Sequence, residues 1–102
     1  MKGKLIVIEG VDCSGKETQS RLLANKMKEL GISIERFCFP MYNTPTGRII
    51  GGPFLGKPHM GEGYFEEGAA KVEPEVSTLY FAADRKRNIS KIIDSLEKGN
   101  TV

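Results

Sequence analysis

A glycine-rich turn between an apolar segment and an amphipathic one constrains the fold of this chain more than any other feature. Residues 10–16 read Gly-Val-Asp-Cys-Ser-Gly-Lys, follow the apolar run Leu5-Ile6-Val7-Ile8, and precede a segment with helical periodicity. Glycines at both ends let the backbone curl so that successive amide hydrogens point inward, and Lys16 adds a cation beside the start of a helix. Strand, turn, lysine and helix in this order predict a phosphate-binding loop.

The position after the lysine departs from the usual pattern. A Ser or Thr whose hydroxyl holds magnesium is expected there. This chain instead has Glu17, and its next hydroxyl is that of Thr18. Glu17 either ligates the ion through its carboxylate, since hard cations accept such oxygens, or points away while Thr18 takes its place. A glycine-rich turn without a nucleotide role is the alternative to a phosphate loop.

The first forty residues predict strand, helix and strand. The nearly continuous apolar run at 4–9 is typical of a buried parallel strand, and a helix follows from about Gly15 to Leu30, with Gly31 placed to cap it. Residues 32–39 are predicted to form a second strand, which Pro40 ends. We therefore expect a right-handed crossover between two parallel strands.

The segment from residue 40 to residue 73 changes character, because seven of the twelve glycines and four of the five prolines lie there. Thr44 followed by Pro45 predicts the start of a short helix, which Gly51-Gly52-Pro53 should interrupt. Residues 56–68 have no clear period, and we expect a mobile loop over a site, since long structureless stretches in compact domains are usually functional or disordered.

A long helix is predicted from Pro74 to about Lys98, before Gly99. One apolar stripe should face the core; its members are Val76, Leu79, Tyr80, Ala83, Ile89, Ile92, Ile93 and Leu96. A different face carries an aromatic ring, a guanidinium and an amide, from Phe81, Arg85 and Asn88. This second face indicates either a binding site or, alternatively, a solvated arginine beside a core phenylalanine.

Length and composition limit what these elements can build. With 102 residues, 39% of them hydrophobic and 27% charged, the chain resembles ordinary globular sequence. A phosphate loop of this kind belongs to a parallel sheet with helices on both faces, which needs more strands than the two complete ones predicted here. Thr101 and Val102 look like the opening of a third strand. We therefore expect an α/β fold of the P-loop NTPase type that is truncated within its domain.

The net charge and the cysteine content indicate which binding partners and which cellular compartment to expect. A formal net charge of +2, with basic residues scattered among acidic ones, does not favour binding to a nucleic acid polymer. Cys13 and Cys38 make neither a disulfide framework nor a metal cluster, so a reducing cytoplasm fits best. The sequence shows no signal-peptide pattern and no stretch long enough to span a bilayer, so no membrane partner is expected.

Three motifs together resemble the thymidylate kinase family. They are residues 8–19 around the loop, Phe39-Pro40-Met41-Tyr42, and Phe81-Ala82-Ala83-Asp84-Arg85. The resemblance covers essentially the whole chain and implies transfer of the terminal phosphoryl group of ATP to thymidine monophosphate (dTMP). It also implies a magnesium-dependent homodimer, in which residues 1–102 form the N-terminal part of a single nucleoside-monophosphate kinase domain with a mobile segment at 40–73.

The resemblance carries roles onto particular residues. The loop and the first turn of the helix would hold the donor phosphates; these residues are Gly10, Val11, Asp12, Cys13, Ser14, Gly15, Lys16, Glu17 and Thr18. Asp12 would lie near the sugar of the acceptor and help arrange its phosphate. Phe81 would stack on thymine, Arg85 would hold the acceptor phosphate, and Tyr42 would help exclude a 2′-hydroxyl. Lys16, Asp12 and Arg85 are thus the predicted catalytic residues, and Glu17 and Thr18 the predicted metal ligands.

Two departures from the family pattern leave alternatives open. The family often has an arginine within Phe-Pro-x-x, where this chain has Met41 and Tyr42, so Arg48 is the nearby candidate to replace it. The family's Asp-Arg motif and its arginine-bearing lid would follow Val102. If the 102 residues stand alone, we predict weak nucleotide binding and negligible transfer. The alternatives are a kinase for another nucleotide or deoxynucleoside, and a nucleotide-binding module without catalysis.

Overall fold

The computed structural model describes residues 2–102. These residues contain three α-helices, α1 (Lys16–Glu29), α2 (Pro45–Ile49) and α3 (Pro74–Glu97). A π-helical turn (Ile50–Phe54) follows α2 directly, and a 3₁₀ turn (Ala69–Lys71) precedes α3. The chain divides into two compact units. The first comprises the residues up to Phe37 together with Ser90–Val102, and the second comprises Cys38–Ile89.

Helix α1 in the first unit lies within a residue of its predicted bounds at each end. Its C-terminus closes on Gly31, whose N–H donates to the carbonyl of Lys28 at 3.0 Å, while the N–H of Ile32 donates to the carbonyl of Met27 at 3.0 Å. This pair of bonds is a Schellman motif, which satisfies carbonyls that the helix itself leaves open. Gly31 therefore ends the helix as its position in the sequence predicts.

Three backbone segments of the first unit pair in parallel. Val102 donates to the carbonyl of Lys4 at 2.9 Å and accepts from the N–H of Ile6 at 2.7 Å. Thr101 makes the equivalent pair of bonds with Ser33 (2.8 Å) and Glu35 (2.9 Å), which forms a parallel bridge at Ile34. Residues 101–102 thus lie between segment 4–6 and segment 33–35.

The prediction of two complete strands is wrong for the described residues. Among residues 2–102, the predicted strands make only a few backbone hydrogen bonds. These are the bonds of the isolated bridge between Ile34 and Thr101 and the two bonds that join Lys4 and Ile6 to Val102. The physical reason is that both predicted strands use residues 101–102 as their partner, and two residues support only one or two ladder bonds with each. Leu5, Ile6, Val7 and Ile8 remain 43–67% exposed as a result.

Helix α2 in the second unit begins as predicted, with Thr44 as its N-cap and Pro45 in its first turn. The α-helix ends at Ile49, before Gly51-Gly52-Pro53 as predicted, but the backbone stays helical and continues as a π-turn in which Leu55 donates to the carbonyl of Ile50 at 2.8 Å. The glycines serve close packing. A Cβ on Gly51 would lie 2.3 Å from the sulfur of Met60, and a Cβ on Gly52 would lie 2.7 Å from the carbonyl oxygen of Met60.

An apolar cluster of Ile50, Phe54 and Val72 forms the core of the second unit. Phe65, from the segment that the sequence leaves without periodicity, packs edge-on against Phe54 at 5.8 Å between ring centroids. The N–H of Tyr64 donates to the carbonyl of Pro53 at 2.7 Å. Residues 56–68 form turns without a helix or strand, as predicted, and the mobility of this segment stays a prediction.

Helix α3 runs as predicted, but the predicted apolar stripe is only partly buried: Ile92 is 8% exposed and Val76 and Tyr80 pack against the core of the second unit. Leu79 is 68% exposed and Ile93 45% exposed, whereas Asp84 and Asn88 are almost fully buried. The reason is that both polar side chains find partners, so that the face carrying them can be buried without loss of hydrogen bonds. No helix among residues 2–102 is long and apolar enough to cross a membrane.

Candidate functional site

The glycine-rich turn of the first unit forms a tight loop. Cys13 (φ 61°) and Gly15 (φ 89°) both have left-handed backbone, which turns the chain sharply before α1. A Cβ on Gly10 would lie 2.7 Å from the hydroxyl oxygen of Ser14, so a side chain at position 10 would displace that hydroxyl from the loop. The sharp turn of the loop therefore uses the left-handed conformation of Gly15, while the missing side chain of Gly10 leaves room for the Ser14 hydroxyl.

Lys16 links the end of the loop to its beginning. Its ammonium donates a hydrogen bond to the carbonyl oxygen of Gly10, and the side chain is half-buried. A cation held against the loop's own backbone is close to any anion that the loop encloses. The predicted phosphate-binding lysine is thus held at the loop by its own hydrogen bond.

The N-terminus of α1 lies directly after the loop. Gly15 is the N-cap and makes no side-chain hydrogen bond to the helix, and the first intrahelical bond runs from the N–H of Gln19 to the carbonyl of Gly15 at 2.9 Å. The amides of residues 16–18 precede that bond. The amides of the first turn together with the helix dipole make an anion-binding end.

The remaining loop positions face solvent. Val11, Asp12, Cys13 and Thr18 are all exposed. Neither cysteine forms a disulfide within residues 2–102. Within the same described range, no group of three His, Cys, Asp or Glu side chains is arranged to hold a metal ion. The Thr18 hydroxyl lies on the first turn of α1, next to the predicted phosphate loop.

Glu17 makes a two-pronged ion pair with Arg36. The guanidinium donates from Nη1 to Oε2 at 2.8 Å and from Nη2 to Oε1 at 3.2 Å. Arg21, one turn along α1, places its Nη1 at 3.7 Å from Oε1. Both oxygens of the acid that replaces the expected hydroxyl residue are therefore engaged by arginine. The sequence alone gave no signal for this pairing, because the two residues come from different elements.

Both aromatic side chains that are predicted to contact the acceptor lie in the second unit, against its apolar core. Phe81 is half-buried and meets Phe54 nearly at right angles, with 5.9 Å between centroids. Tyr42 packs against the same core, and the ammonium of Lys57 lies over its ring at 5.1 Å from the centroid. The core of the second unit thus fixes both rings that the resemblance assigns to the nucleoside.

The two predicted acceptor-side arginines are exposed in the same unit. Arg48 lies on α2, and Arg85 lies on α3, one turn after Phe81. The structure records no ion pair of either guanidinium with an acid among residues 2–102. Both cations are therefore presented to solvent.

A buried polar network, which the sequence analysis did not identify, holds the segment around these residues. Asp84 accepts from the N–H of Met41 at 2.9 Å, from the hydroxyl of Thr46 at 2.7 Å and from the amide of Asn88 at 2.9 Å. The amide of Asn88 also donates to the hydroxyl of Thr44, the α2 cap, at 3.2 Å. Asn88 thus stabilises the fold from a buried position, whereas the sequence analysis placed it with Phe81 and Arg85 on a face for binding. The available signal was the spacing of Asp84 and Asn88, four residues apart on one helix face.

The family model for thymidylate kinase matches residues 8–102. The chain belongs to the thymidylate kinase family. It is 37% identical over 103 residues to the Pyrococcus abyssi protein named probable thymidylate kinase, covering all of this chain and 46% of that protein. It is 35% identical over 100 residues to the thymidylate kinase of Schizosaccharomyces pombe, covering 98% of this chain and 42% of that protein.

A third relative is the thymidylate kinase of Prochlorococcus marinus strain MIT 9303, which is 35% identical over 103 residues. That match covers all of this chain and 45% of the relative. The chain therefore spans less than half the length of these relatives. The family resemblance predicted from the three motifs is confirmed, as is its restriction to an N-terminal portion.

Proposed function

We propose that the protein transfers the terminal phosphoryl group of ATP to dTMP, giving thymidine diphosphate for the synthesis of dTTP. The observation that carries the proposal is the loop at 10–16, with its left-handed residues, its inward lysine and the uncapped first turn of α1. Membership of the thymidylate kinase family over residues 8–102 supports the choice of reaction.

On the donor side, the loop amides and the N-terminus of α1 would bind the phosphates of ATP, and Lys16 would neutralise their charge. Phosphoryl transfer depends mainly on positioning and on electrostatic stabilisation, so a rigid loop of donors is suited to it. The attacking oxygen of the acceptor phosphate is already ionised. The reaction therefore needs no protein general base, and Asp12 would arrange the acceptor near its sugar and phosphate.

On the acceptor side, Phe81 would stack on the thymine ring and Arg85 would hold the phosphate. The planar fork of a guanidinium matches two phosphate oxygens, and an aromatic face suits a flat base. Tyr42 would lie close to the sugar and help exclude a 2′-hydroxyl. Arg48 would take the place of the family arginine that this chain lacks after Phe39-Pro40.

The residues present fit a magnesium ion, which the hydroxyl of Thr18 would ligate. Thr18 lies on the first turn of α1 and is exposed. Glu17 is the alternative ligand, although its two oxygens are engaged by Arg36 in this structure. Magnesium commonly binds through one or two protein oxygens together with substrate phosphates, and when bound it would neutralise charge on the donor phosphates.

We further propose a parallel sheet with helices on both faces, in the manner of P-loop NTPases. The parallel bonds from residues 101–102 to both neighbouring segments support this architecture. A homodimer in the cytoplasm is the assembly and location that the family resemblance and the two cysteines outside any disulfide favour.

Thermal shift with nucleoside monophosphates tests the acceptor. We expect dTMP to raise the melting temperature more than the uridine, cytidine and guanosine analogues, because ligand binding to the folded state stabilises it. A larger shift with another monophosphate would indicate a different nucleotide kinase.

A coupled assay with ATP, magnesium and dTMP tests the transfer itself. Turnover is the expected result for the whole protein. Binding of dTMP and ATP without turnover would instead favour a nucleotide-binding module without catalysis.

A further inference from the structure

The replacement of the expected hydroxyl residue by Glu17 sets an electrostatic problem. Residue 17 directly follows the loop lysine and lies in the first turn of α1, where an anion is to bind. A carboxylate at that position repels a polyphosphate at short range. The chain therefore requires something that offsets the charge of Glu17.

Arg36 meets that requirement geometrically. Its guanidinium bonds both oxygens of Glu17 at 2.8 and 3.2 Å, in the fork arrangement that gives the strongest carboxylate pairs. The same guanidinium donates from Nη1 to the hydroxyl of Ser20 at 3.2 Å, one turn along α1. Arg36 is thus held against α1 at two positions, and its side chain is 31% exposed compared with 61% for Glu17.

Ser20 stabilises this arrangement from the helix. Its hydroxyl donates to the carbonyl oxygen of Glu17 at 3.1 Å while its oxygen accepts from Arg36. The carboxylate also has Arg21 at 3.7 Å, but through a single contact between two well-exposed side chains. Exposed pairs of that kind contribute little. The forked contact with Arg36 is therefore the main neutralising contact of Glu17.

We propose that Arg36 is a positioning residue for the donor phosphates and acts through Glu17. By occupying both carboxylate oxygens, it neutralises the acid beside Lys16 and leaves the metal to the Thr18 hydroxyl. This inference rests on the proposed function, because it concerns the same phosphate loop. It also accounts for how a P-loop accommodates an acid at this position.

The test is a double-mutant cycle on ATP binding, made in the whole protein and measured at equilibrium both with EDTA and with magnesium. We expect Arg36→Ala to weaken binding by about tenfold, because the exposed carboxylate then repels the triphosphate. Arg36→Ala combined with Glu17→Gln should recover most of that loss, because the repelling charge is gone. Recovery beyond the effect of Glu17→Gln alone, the second single variant of the cycle, distinguishes this role from a merely structural one, because neutralising Glu17 would not restore a lost structural contact.

Matched variants complete the experiment. Arg21→Ala removes a cation from the same carboxylate without a fork and should weaken binding much less than Arg36→Ala. Arg36→Lys keeps the charge but loses the fork, and an intermediate loss is expected. This variant carries the test if Arg36→Ala does not fold, with Glu17→Gln again expected to restore binding.

The outcomes separate the inference from the proposed function. A double variant that binds ATP as weakly as Arg36→Ala would overturn the inference, since Arg36 would then act on the phosphates directly or on the fold. Unchanged binding in Arg36→Ala would also overturn it. Failure of the parent protein to bind ATP at all would overturn the proposed function itself.

Discussion

At the scale of single residues, Asp84 connects more of the second unit than any predicted site residue. It is 1% exposed and accepts from the backbone of Met41 and from the side chains of Thr46 and Asn88. Met41 adjoins Tyr42, and Asp84 itself adjoins Arg85. The predicted nucleoside contacts are therefore held in place by a carboxylate that faces away from solvent.

We expect Asp84→Ala to lower the free energy of unfolding by about 3 kcal/mol, because two buried donors, from Met41 and Asn88, and the half-buried hydroxyl of Thr46 lose their acceptor. Chemical denaturation measures the change. Asp94→Ala is the matched control, since Asp94 is an exposed acid on the same helix, and it should change stability little. A similar loss in both variants would contradict the role given to the buried network.

Replacing Lys16 separates the effect of this side chain on ATP binding from its effect on the stability of the fold. Its one recorded hydrogen bond is to the carbonyl of Gly10. We expect Lys16→Met to weaken ATP binding by at least about tenfold, the equivalent of one charge-assisted hydrogen bond. Thermal unfolding without nucleotide should stay nearly unchanged.

Lys28→Met, on the exposed surface of the same helix, is the control for the loss of a positive charge. If Lys16→Met bound ATP as tightly as the control Lys28→Met, the loop would not be a phosphate site.

At the scale of elements, Phe54 at the end of the π-turn organises the aromatic side chains. Its ring stacks on Tyr80 at 5.1 Å between centroids and meets Phe65 and Phe81 edge-on. The orientation of Phe81, the predicted base-stacking ring, therefore depends on a residue that the sequence analysis placed after a helix break.

We expect Phe54→Ala to cost about 3–5 kcal/mol of stability through the cavity it leaves. The variant should also reduce the thermal shift caused by dTMP, because Phe81 loses the ring that fixes it. Tyr64→Ala provides the control, since Tyr64 is 80% exposed and its removal leaves the core intact. Full retention of the dTMP shift in a folded Phe54→Ala variant would show that Phe81 does not need this support.

The helices could be predicted from sequence because their signals are local. Gly31 and Pro74 mark ends that the structure reproduces, and Thr44 caps α2 as its residue type indicates. The buried polar part of α3 could not be predicted in this way. Periodicity placed Asn88 on a face away from the apolar stripe. The burial of Asp84 and Asn88 is favourable because Met41 and Thr46 donate to Asp84 while Thr44 accepts from Asn88.

At the scale of the whole molecule, the first unit exposes an apolar surface. Leu5 and Val7, on the segment before the loop, are 54% and 67% exposed, and Leu22 on α1 is 52% exposed. Several large apolar side chains exposed in one unit indicate a surface that becomes covered by protein.

We expect the 102-residue chain to self-associate with increasing concentration in sedimentation velocity. Replacing Leu5 and Val7 together with threonine should reduce that association, because less apolar area is then removed from water. Tyr64→Ser, which changes a more exposed side chain in the second unit, should have no effect. Unchanged association after the threonine replacements would assign the contact to another surface.

The sheet was the least predictable part of the fold, since its bonds join distant positions. Residues 4–9 and 32–39 have the composition of strands, but composition does not specify which backbone lies next to them. The Glu17 and Arg36 pair was missed for the same reason, because nothing local connects Arg36 with the unusual acid at position 17. The loop itself was predictable since all of its determinants are consecutive.

The position of Val102 between segment 4–6 and the bridge at Ile34 has a consequence for biosynthesis. The backbone that leads into the loop is synthesised well before its hydrogen-bonding neighbour, because residues 4–6 pair with Val102. Contacts so far apart in sequence form slowly, since the intervening chain must be ordered first. A nascent polypeptide that has α1 but not yet residues 101–102 would therefore have an unsupported entry to its loop, and protease sensitivity of stalled nascent chains should persist until these two residues are released.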